Sequence, residues 1–350
     1  MSGVRTRISS LSYQDVLEAA WKQHLAPRIA DAPTVISTFA GCGGSSLGYS
    51  MAGFRELLAV EWEDNAAATF RLNFTDVPIY HGDIAKLTVE DVLARTGLQS
   101  GELDVFDGSP PCQGFSTAGK RDFGDDRNQL FKEYVRLLRG LKPKAFVMEN
   151  VSGMVKGKMK LIFADILREL KASGYRVSAR LMNAMYFNVP QSRQRMIFVG
   201  VREDLGIEPS HPKAQARMVL VAEAWQSLPD RGQRSQPVST LKARRWNETP
   251  VGGHHHERFS LARLAWNKPA PTVQKSSSGT AGHMHPSEPR HLTDDELRRL
   301  GSFPDGFMFA GGNNDVLARI GNCVPPLFMR AIAEHIRDVI LSKPSMAKAA

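Results

Sequence analysis

The residues best suited to covalent chemistry lie in segment 107–117, which reads Asp-Gly-Ser-Pro-Pro-Cys-Gln-Gly-Phe-Ser-Thr. Its cysteine, Cys112, follows an apolar run at 103–106 that predicts a strand, so we expect it on the loop at that strand's carboxyl end. In an open α/β sheet that edge binds ligands. Two prolines restrict the backbone before the thiol and a glycine after it permits close approach, which suits a nucleophile. The alternative is a buried structural cysteine.

A carboxyl group is predicted at the same edge of the sheet. Glu149 ends the apolar run 146–148, which predicts another strand. A carboxyl group enclosed beside Cys112 could act as a hydrogen-bond or proton donor. An acidic residue at a strand end can also be a helix cap or a solvated group, so it is the pairing with the Pro-Pro-Cys loop that favours a functional interpretation.

Polar and basic side chains precede a further strand predicted at 196–201. Alternation along the chain places three of them, Gln191, Arg193 and Arg195, on one face. Cations near Cys112 would favour its thiolate form. The alternative is a basic edge strand that guards against aggregation.

The elements that must position these groups alternate between strands and helices from residue 34 onward. Strands are predicted at 34–39, 57–62, 78–81, 103–106, 145–148 and 196–201, and helices at 45–52, 64–73, 129–139 and 159–170. The alternation predicts an α/β fold, a doubly wound and mainly parallel sheet with helices on both faces. Outside this region, helices are predicted at 13–25, from about 293, and at 326–341. Segment 343–350 is expected to be a disordered tail.

A glycine-containing loop, 39–44, connects the first predicted strand to a helix. Glycines at such a turn let a ligand approach the backbone and the helix N-terminus. Glu61 ends the next strand, where a carboxylate could accept hydrogen bonds from ribose hydroxyls, and Asp83 could bind an adenine amino group. Ser46 stands where the dinucleotide fingerprint has its third glycine, which disfavours a NAD-dependent oxidoreductase without excluding it.

Several motifs occur in one order along residues 34–340: Phe-Ala-Gly, Pro-Pro-Cys-Gln-Gly-Phe-Ser, Glu-Asn-Val, Gln-Ser-Arg-Gln-Arg, segment 292–304 and Gly-Asn-Cys-Val. In this order they resemble the C5-cytosine DNA methyltransferase family, of the bacterial or phage modification type. The resemblance implies a Rossmann-like methyltransferase core and S-adenosyl-L-methionine as cofactor. One departure is Cys323, where the family usually has serine, although a small side chain is kept.

The resemblance also implies roles for particular residues. Cys112 would add to C6 of a cytosine turned out of the duplex, so that C5 becomes nucleophilic. Glu149 would act at N3, and the Gln-Ser-Arg-Gln-Arg segment would hold O2 and a nearby phosphate. The cofactor site would be formed by Phe39, Gly41, Gly43, Gly44, Glu61, Trp62, Asp83, Ile84, Pro110, Leu130, Asn322 and Val324.

Basic residues are concentrated in a less regular region. The formal charge is +9, and residues 211–290 hold 12 Lys and Arg against 5 Asp and Glu, which favours phosphate contacts. The resemblance implies that 205–290 is a small target-recognition domain between a catalytic core, 34–204, and a segment returning to it, 291–342, with 1–33 as an extension. Candidate DNA contacts are Arg244, Arg245, Trp246, Arg258, Lys275 and, beside the nucleophile, Gln113 and Ser116. We expect no metal, because three adjacent histidines at 254–256 rarely share one ion.

Composition bounds the remaining expectations. A chain of 350 residues, 42% hydrophobic, has no apolar run that could span a bilayer, and three cysteines are too few for a disulfide framework. We therefore expect a cytoplasmic protein with reduced thiols. The predicted function is sequence-specific methylation of double-stranded DNA by a monomer, with a cognate restriction endonuclease as a separate protein. Alternatives are a tRNA cytosine-C5 methyltransferase of the same fold and a catalytically silent DNA-binding relative.

Overall fold

A seven-stranded sheet forms the centre of the described part of the protein. The computed structural model describes residues 11–111, 129–155, 159–215, 217–231, 238–257, 260–276 and 282–342. In chain order the strands are β1 (Thr34–Thr38), β2 (Arg55–Glu61), β3 (Ile79–His81), β4 (Val105–Gly108), β5 (Ala145–Val151), β6 (Tyr175–Asn183), β7 (Gln191–Ser192), β8 (Gln194–Arg202), β9 (Leu261–Arg263), β10 (Ala270–Pro271) and β11 (Gly282–Met284). The order across the sheet is β3-β2-β1-β4-β5-β8-β6.

The pairing of the strands places several chain segments at one edge of the sheet. Strands β1 to β5 pair in parallel, whereas β8 is antiparallel to both β5 and β6. The predicted mainly parallel, doubly wound sheet is therefore confirmed. The strand order reverses between β1 and β4, which is the position where such sheets bind ligands. Because β8 is antiparallel, its first residues lie at the same edge as the last residues of β5.

Helices cover both faces of the sheet. They are α1 (Tyr13–Leu25), α2 (Gly44–Met51), α3 (Asp64–Asn73), α4 (Val89–Thr96), α5 (Gln129–Leu141), α6 (Met159–Lys171), α7 (Val221–Ala224), α8 (Thr240–Glu248), α9 (Asp294–Leu300), α10 (Asn313–Asn322) and α11 (Pro326–His335), which continues as a π-helical turn, Ile336–Leu341. Helices α4 to α6 bury apolar side chains in one cluster, and α1 to α3 with α9 to α11 do so in another. No helix among the described residues is both long and apolar enough to cross a membrane.

Local signals explain where several helices begin. Helix α1 starts after Ser12, which forms a capping box with Asp15, and it agrees with the predicted range. Helix α9 starts after Thr293, which forms the same motif with Glu296. The strand predicted at 103–106 lies two residues later, because Asp104 instead accepts a hydrogen bond from the Thr34 backbone N–H at 2.7 Å.

Residues of the less regular region, 205–290, pack in two different hydrophobic clusters. Trp246, Leu261 and Met284 form a small separate cluster, as a small domain would. Val221 and Trp225, however, belong to the core of the main sheet. The expected boundary at residue 205 thus does not coincide with a break in packing. The predicted tail, 343–350, lies outside the described residues.

Candidate active site

A cavity of about 680 Å³ opens at the edge of the sheet where the strand order reverses. Glu149, Arg193 and Arg195 lie in its wall, as do Pro110 and Pro111. The wall also includes every predicted cofactor residue except Gly43, namely Phe39, Gly41, Gly44, Glu61, Trp62, Asp83, Ile84, Pro110, Leu130, Asn322 and Val324. The structure therefore brings the two predicted halves of the site, catalytic and cofactor-binding, to one cavity.

The last described residues before the predicted nucleophile line this cavity. Cys112, Gln113 and Ser116 lie outside the described residues, but Pro111 directly precedes Cys112 and lines the cavity. The Asn150 side chain donates a hydrogen bond from Nδ2 to the Pro110 carbonyl at 3.2 Å. This contact ties the start of the loop to the end of β5. Sequence reasoning gave Asn150 no role, although a buried amide next to Glu149 is a signal that could have suggested one.

Hydrogen bonds to Asp107 fix the end of β4. The Tyr49 hydroxyl of α2 donates to Asp107 Oδ1 at 3.2 Å, and the Thr38 hydroxyl of β1 donates to the Asp107 carbonyl at 3.0 Å. Burial, reinforced by the nearby Glu56 carboxylate, raises the pKa of Asp107 well above its usual range. These contacts join the strand before the Pro-Pro-Cys loop to the elements that hold the glycine loop.

Glu149 and Arg195 form the ion pair of the site. Arg195 Nε lies 2.6 Å from Glu149 Oε1, and the two side chains are only 13% and 12% exposed. In the antiparallel register Glu149 lies opposite Ile197 and Val151 lies opposite Arg195, so the pair is a diagonal contact on one face of the sheet. A charge-assisted hydrogen bond in this geometry orients the carboxyl group at the cavity wall.

The other members of the predicted polar face have different partners. Gln191 is 1% exposed, does not line the cavity, and bonds to the Leu300 carbonyl and the Val273 N–H. Arg193 is 2% exposed and donates to the carbonyls of Val273 and Gly321. These hydrogen bonds join chain segments, and Arg193 lines the cavity whereas Gln191 does not. A contact of either side chain with the substrate stays a prediction.

The glycine loop has a backbone that few side chains tolerate. Phe39, Gly41 and Gly43 have φ of 54°, 58° and 92°, which is the left-handed region. A Cβ at Gly43 would overlap the ring of Phe74, so this glycine allows the loop to pack on α3. Gly43 does not line the cavity, and its contact with a cofactor stays a prediction.

Glu61 stabilises the loop from the end of β2. Its Oε2 accepts from the Gly41 N–H at 2.7 Å, and its Oε1 accepts from the N–H groups of Trp62 and Glu63 at 2.9 Å. Carboxylates have about four acceptor positions, so capacity for a ligand hydroxyl remains after three backbone bonds. The side chain both organises the loop and presents a carboxylate at the cavity.

The outer wall of the cavity combines an aromatic face with a second carboxylate. Trp62 is 76% exposed although it lines the cavity, which is unusual for so large an apolar side chain. Asp83 is exposed and caps the 3-10 turn Ile84–Lys86 through the Ala85 N–H at 3.0 Å. An indole face and two carboxylates in one cavity wall match the chemistry of a nucleoside, with its flat base and its hydroxyl and amino donors.

The cavity wall also includes residues that the sequence did not predict as catalytic or cofactor-binding. Arg319 of α10 pairs with Glu63, whose other contact caps α3 through the Ala66 N–H. Lys275, predicted as a DNA contact, lies in the cavity wall as well. Cys42 and Cys323 are buried there, and a hydrogen bond with Cys323 and burial raise the pKa of the Cys42 thiol. A buried, protonated Cys42 is a poor nucleophile.

The predicted DNA contacts of the recognition region are only partly exposed. Arg244 is exposed on α8 and pairs with Glu248 at 2.9 Å, and Arg245 is half-buried. Trp246 is buried, donates to the His285 carbonyl at 2.8 Å and packs under the Arg263 guanidinium. Its prediction as a DNA contact is corrected, since it forms the local core. Arg258 lies outside the described residues.

The histidine run has ordinary protein contacts. His255 is buried and its Nε2 lies 3.2 Å from Glu248 Oε2. Within the described ranges, no group of three or more His, Cys, Asp or Glu side chains is arranged to hold a metal ion.

Comparisons with known proteins agree with the geometry. A family model described as C-5 cytosine-specific DNA methylase matches residues 33–338. The chain is 36% identical over 326 residues to the Type II methyltransferase M1.HphI of Haemophilus parahaemolyticus, across 87% of this chain and 86% of that protein. It is 33% identical to the Type II methyltransferase M.NgoPII of Neisseria gonorrhoeae, across 91% and 99% of the two chains.

Solved structures show the same fold. A provisionally assigned DNA modification methyltransferase encoded within an E. coli prophage superposes with a TM-score of 0.75 at 25% identity, covering 89% of this chain and 100% of that one. The Dnmt2 methyltransferase of S. pombe superposes with a TM-score of 0.65 at 18% identity, which shows the fold alone. The description of the family model names DNA, which favours the DNA enzyme over the tRNA alternative drawn from the sequence. The chain belongs to the C5-cytosine DNA methyltransferase family and is a DNA (cytosine-5-)-methyltransferase.

Proposed function

We propose that this enzyme transfers a methyl group from S-adenosyl-L-methionine to C5 of a cytosine turned out of the duplex, through a covalent adduct with Cys112. The observation that carries the proposal is the joining of two sets of residues in one cavity. The first set is the Glu149–Arg195 ion pair together with Pro111, which directly precedes Cys112. The second set is Glu61 and Trp62 in the predicted cofactor site.

The residues of the cavity fit S-adenosyl-L-methionine. Trp62 offers a flat apolar face for adenine, Glu61 offers acceptors for ribose hydroxyls, and Asp83 offers an acceptor for the adenine amino group. At Gly41 an added Cβ would meet nothing within 4 Å, so the loop leaves open space on the cavity side. Bound there, the cofactor supplies an electrophilic methyl group on a sulfonium centre.

The catalytic residues activate the base. Glu149, ion-paired with Arg195 before the base enters, takes up a proton from water when the base binds. The Cys112 thiolate then forms a bond to C6 while the neutral Glu149 carboxyl group donates a hydrogen bond or that proton to N3, and C5 has the electron density of an enamine. Arg195 holds the Glu149 carboxyl group in place and offers donors to the cytosine O2. Methyl transfer to C5 leaves S-adenosylhomocysteine. Water then accepts the C5 proton, the electron pair of the C5–H bond restores the C5–C6 double bond, and the C6–S bond breaks to return the thiolate. A proton given to N3 returns to Glu149.

DNA binding is divided among three places in this proposal. Arg244 and Arg245 of α8 contact the duplex from the recognition region, and Gln113 and Ser116 contact it beside the nucleophile. Lys275, in the cavity wall, reaches the strand next to the extruded base. The enzyme acts as a monomer on double-stranded DNA, and its companion endonuclease is a separate protein.

Bisulfite sequencing of DNA from cells that express the enzyme tests the function directly. We expect full protection of one cytosine within a short recurring sequence, and no protection in cells that express the Cys112→Ala variant at the same level. Protection at scattered cytosines would contradict sequence specificity. Protection that persists in the Cys112→Ala variant would contradict the covalent pathway.

A further inference from the structure

The buried Arg193 lies between the recognition region and residues 321–324 of the cavity wall, and it has no carboxylate partner among the described residues. Arg193 is 2% exposed and forms no ion pair with any residue in the described ranges. Its Nε also lacks a hydrogen-bond partner there, and burial lowers its pKa to about 10. Burying a guanidinium in this way is costly, which suggests that its contacts serve a purpose beyond stability.

Gln191 and Arg193 together hold one residue of the segment that leads out of the recognition region. The Gln191 side chain accepts from the Val273 N–H at 3.0 Å, and Arg193 Nη1 donates to the Val273 carbonyl at 3.3 Å. Both backbone polar groups of Val273 are thus bonded to these two side chains. Strand β10 continues the contact, since it pairs with β7 in parallel. We call residues 270–275 the link.

Arg193 also reaches residues 321–324, which line the cavity and are called the cofactor wall here, whereas the Gln191 amide donates to the Leu300 carbonyl. Arg193 Nη2 donates to the Gly321 carbonyl at 2.8 Å. A Cβ at Gly321 would overlap the backbone of Lys275, so the link lies directly against this glycine. Residues 321–324 in turn pack on the glycine loop, because a Cβ at Gly44 would overlap the Val324 carbonyl oxygen. The contacts are continuous from the link to the cofactor wall.

We propose that Gln191 and Arg193 are positioning residues that couple DNA binding to cofactor binding. Arg193 ties the link to residues 321–324, and Gln191 holds the link in place for that contact. The inference rests on the proposed function, which places the cofactor in the cavity that Asn322 and Val324 line. When the recognition region engages DNA, the link is held in one position, and the tie then fixes the cofactor wall. Contacts alone do not establish coupling, so it must be measured as a change in one ligand's affinity caused by the other.

The test measures the affinity of S-adenosylhomocysteine by titration calorimetry, alone and with a saturating duplex that carries the site found by bisulfite sequencing. For the wild type we expect the duplex to tighten binding by about fivefold or more, within the range usual for coupled sites. For Arg193→Met and Gln191→Leu we expect less than about a twofold effect, while affinity without DNA changes little.

Two further variants separate coupling from general damage to the fold. Arg193→Lys keeps the charge and one donor and should retain part of the effect, whereas Gly321→Ala should lose it by displacing the link. The matched control is Arg202→Met at the other end of β8, where the guanidinium also bonds to backbone carbonyls, and it should keep full coupling.

Each failure has a different meaning. A wild-type enzyme that binds S-adenosylhomocysteine equally well with and without the duplex would overturn the coupling but not the proposed function. Full coupling in Arg193→Met, Gln191→Leu and Gly321→Ala would overturn the role of the tie. Absence of binding to the wild type would instead count against the proposed cofactor.

Discussion

The catalytic edge of the sheet and the recognition region place their functional groups in opposite ways. At the sheet edge, Glu149, Arg195 and Glu61 stand at the ends or beginnings of buried strands and are held by short hydrogen bonds. In the recognition region, Arg244 projects from a short helix that packs on a cluster of three buried residues. The groups at the sheet edge have one fixed geometry, whereas Arg244 is exposed and its ion pair with Glu248 lies on the surface of the same helix.

This difference predicts which measured property a substitution in each region should change. A change at the sheet edge should alter the chemical step or cofactor affinity, because those groups have one geometry and little freedom. A change on α8 should alter DNA affinity and its dependence on salt, because exposed cations act mainly through the phosphate backbone. The predictions below test that separation.

The largest effect is expected at the ion pair of the site. Arg195→Leu should lower kcat by about 100-fold or more, because Glu149 loses the contact that orients it for proton or hydrogen-bond donation. The measurement is transfer of a labelled methyl group to a methylatable duplex under saturating conditions. The matched control, Arg176→Leu, removes an exposed ion pair with Glu208 on the edge strand and should keep normal activity. Near-normal kcat in Arg195→Leu would remove the pair from the mechanism.

A smaller effect is expected at Glu61, in the proposed cofactor site. Glu61→Ala should weaken S-adenosylmethionine binding by about 1–3 kcal/mol, since the variant loses a carboxylate acceptor and the three backbone bonds that shape the loop. Glu61→Gln keeps the shape of the side chain, and its affinity for S-adenosylmethionine should lie between those of the wild type and Glu61→Ala. Titration calorimetry measures both variants. An affinity equal to that of the wild type would show that Glu61 does not contact the cofactor.

The smallest and most diffuse effect is expected on α8. The double variant Arg244→Gln, Arg245→Gln should bind DNA more weakly, and each lost phosphate contact should reduce the slope of log K against log salt by about 0.9. Cofactor affinity in the absence of DNA should not change. The control pair is Arg139→Gln, Arg168→Gln near the carboxyl ends of α5 and α6, where both arginines pair with carboxylates. Binding is measured on cognate and scrambled duplexes at several salt concentrations.

Two other outcomes of that experiment are informative. A loss confined to the cognate duplex would mean that one of the arginines contacts a base edge. Curves identical to those of the wild type would show that α8 does not contact DNA.

The sequence predicted the sheet edge well because its signals are local. At each strand end an apolar run stops and a polar residue or glycine follows. Because parallel strands bring those ends together, the sequence placed Glu61, Pro110 and Glu149 at one edge of the sheet, and all three line the same cavity. Helix α3 was predicted with its observed range for a similar reason, since its polar start and its amphipathic face are both local.

The rest depended on distant contacts. Alternation placed Gln191 and Arg193 on one face, but it could not show that Val273, about 80 residues away, covers that face. Trp246 beside two arginines resembles a DNA contact, and only the packing of Leu261 and Met284 shows that it is core. Strand β6 was missed because it is a half-exposed edge strand whose pattern is weak.

The covalent adduct is the central claim, and a duplex with 5-fluorocytosine at the target position tests it most directly. Fluorine at C5 cannot be removed as a proton, so an enzyme that has attacked C6 through Cys112 and methylated C5 cannot be released. With S-adenosylmethionine present, we predict a protein–DNA band that survives denaturing electrophoresis for the wild type and is absent for Cys112→Ala. A wild-type enzyme that methylates the unmodified duplex but forms no such band would contradict the account.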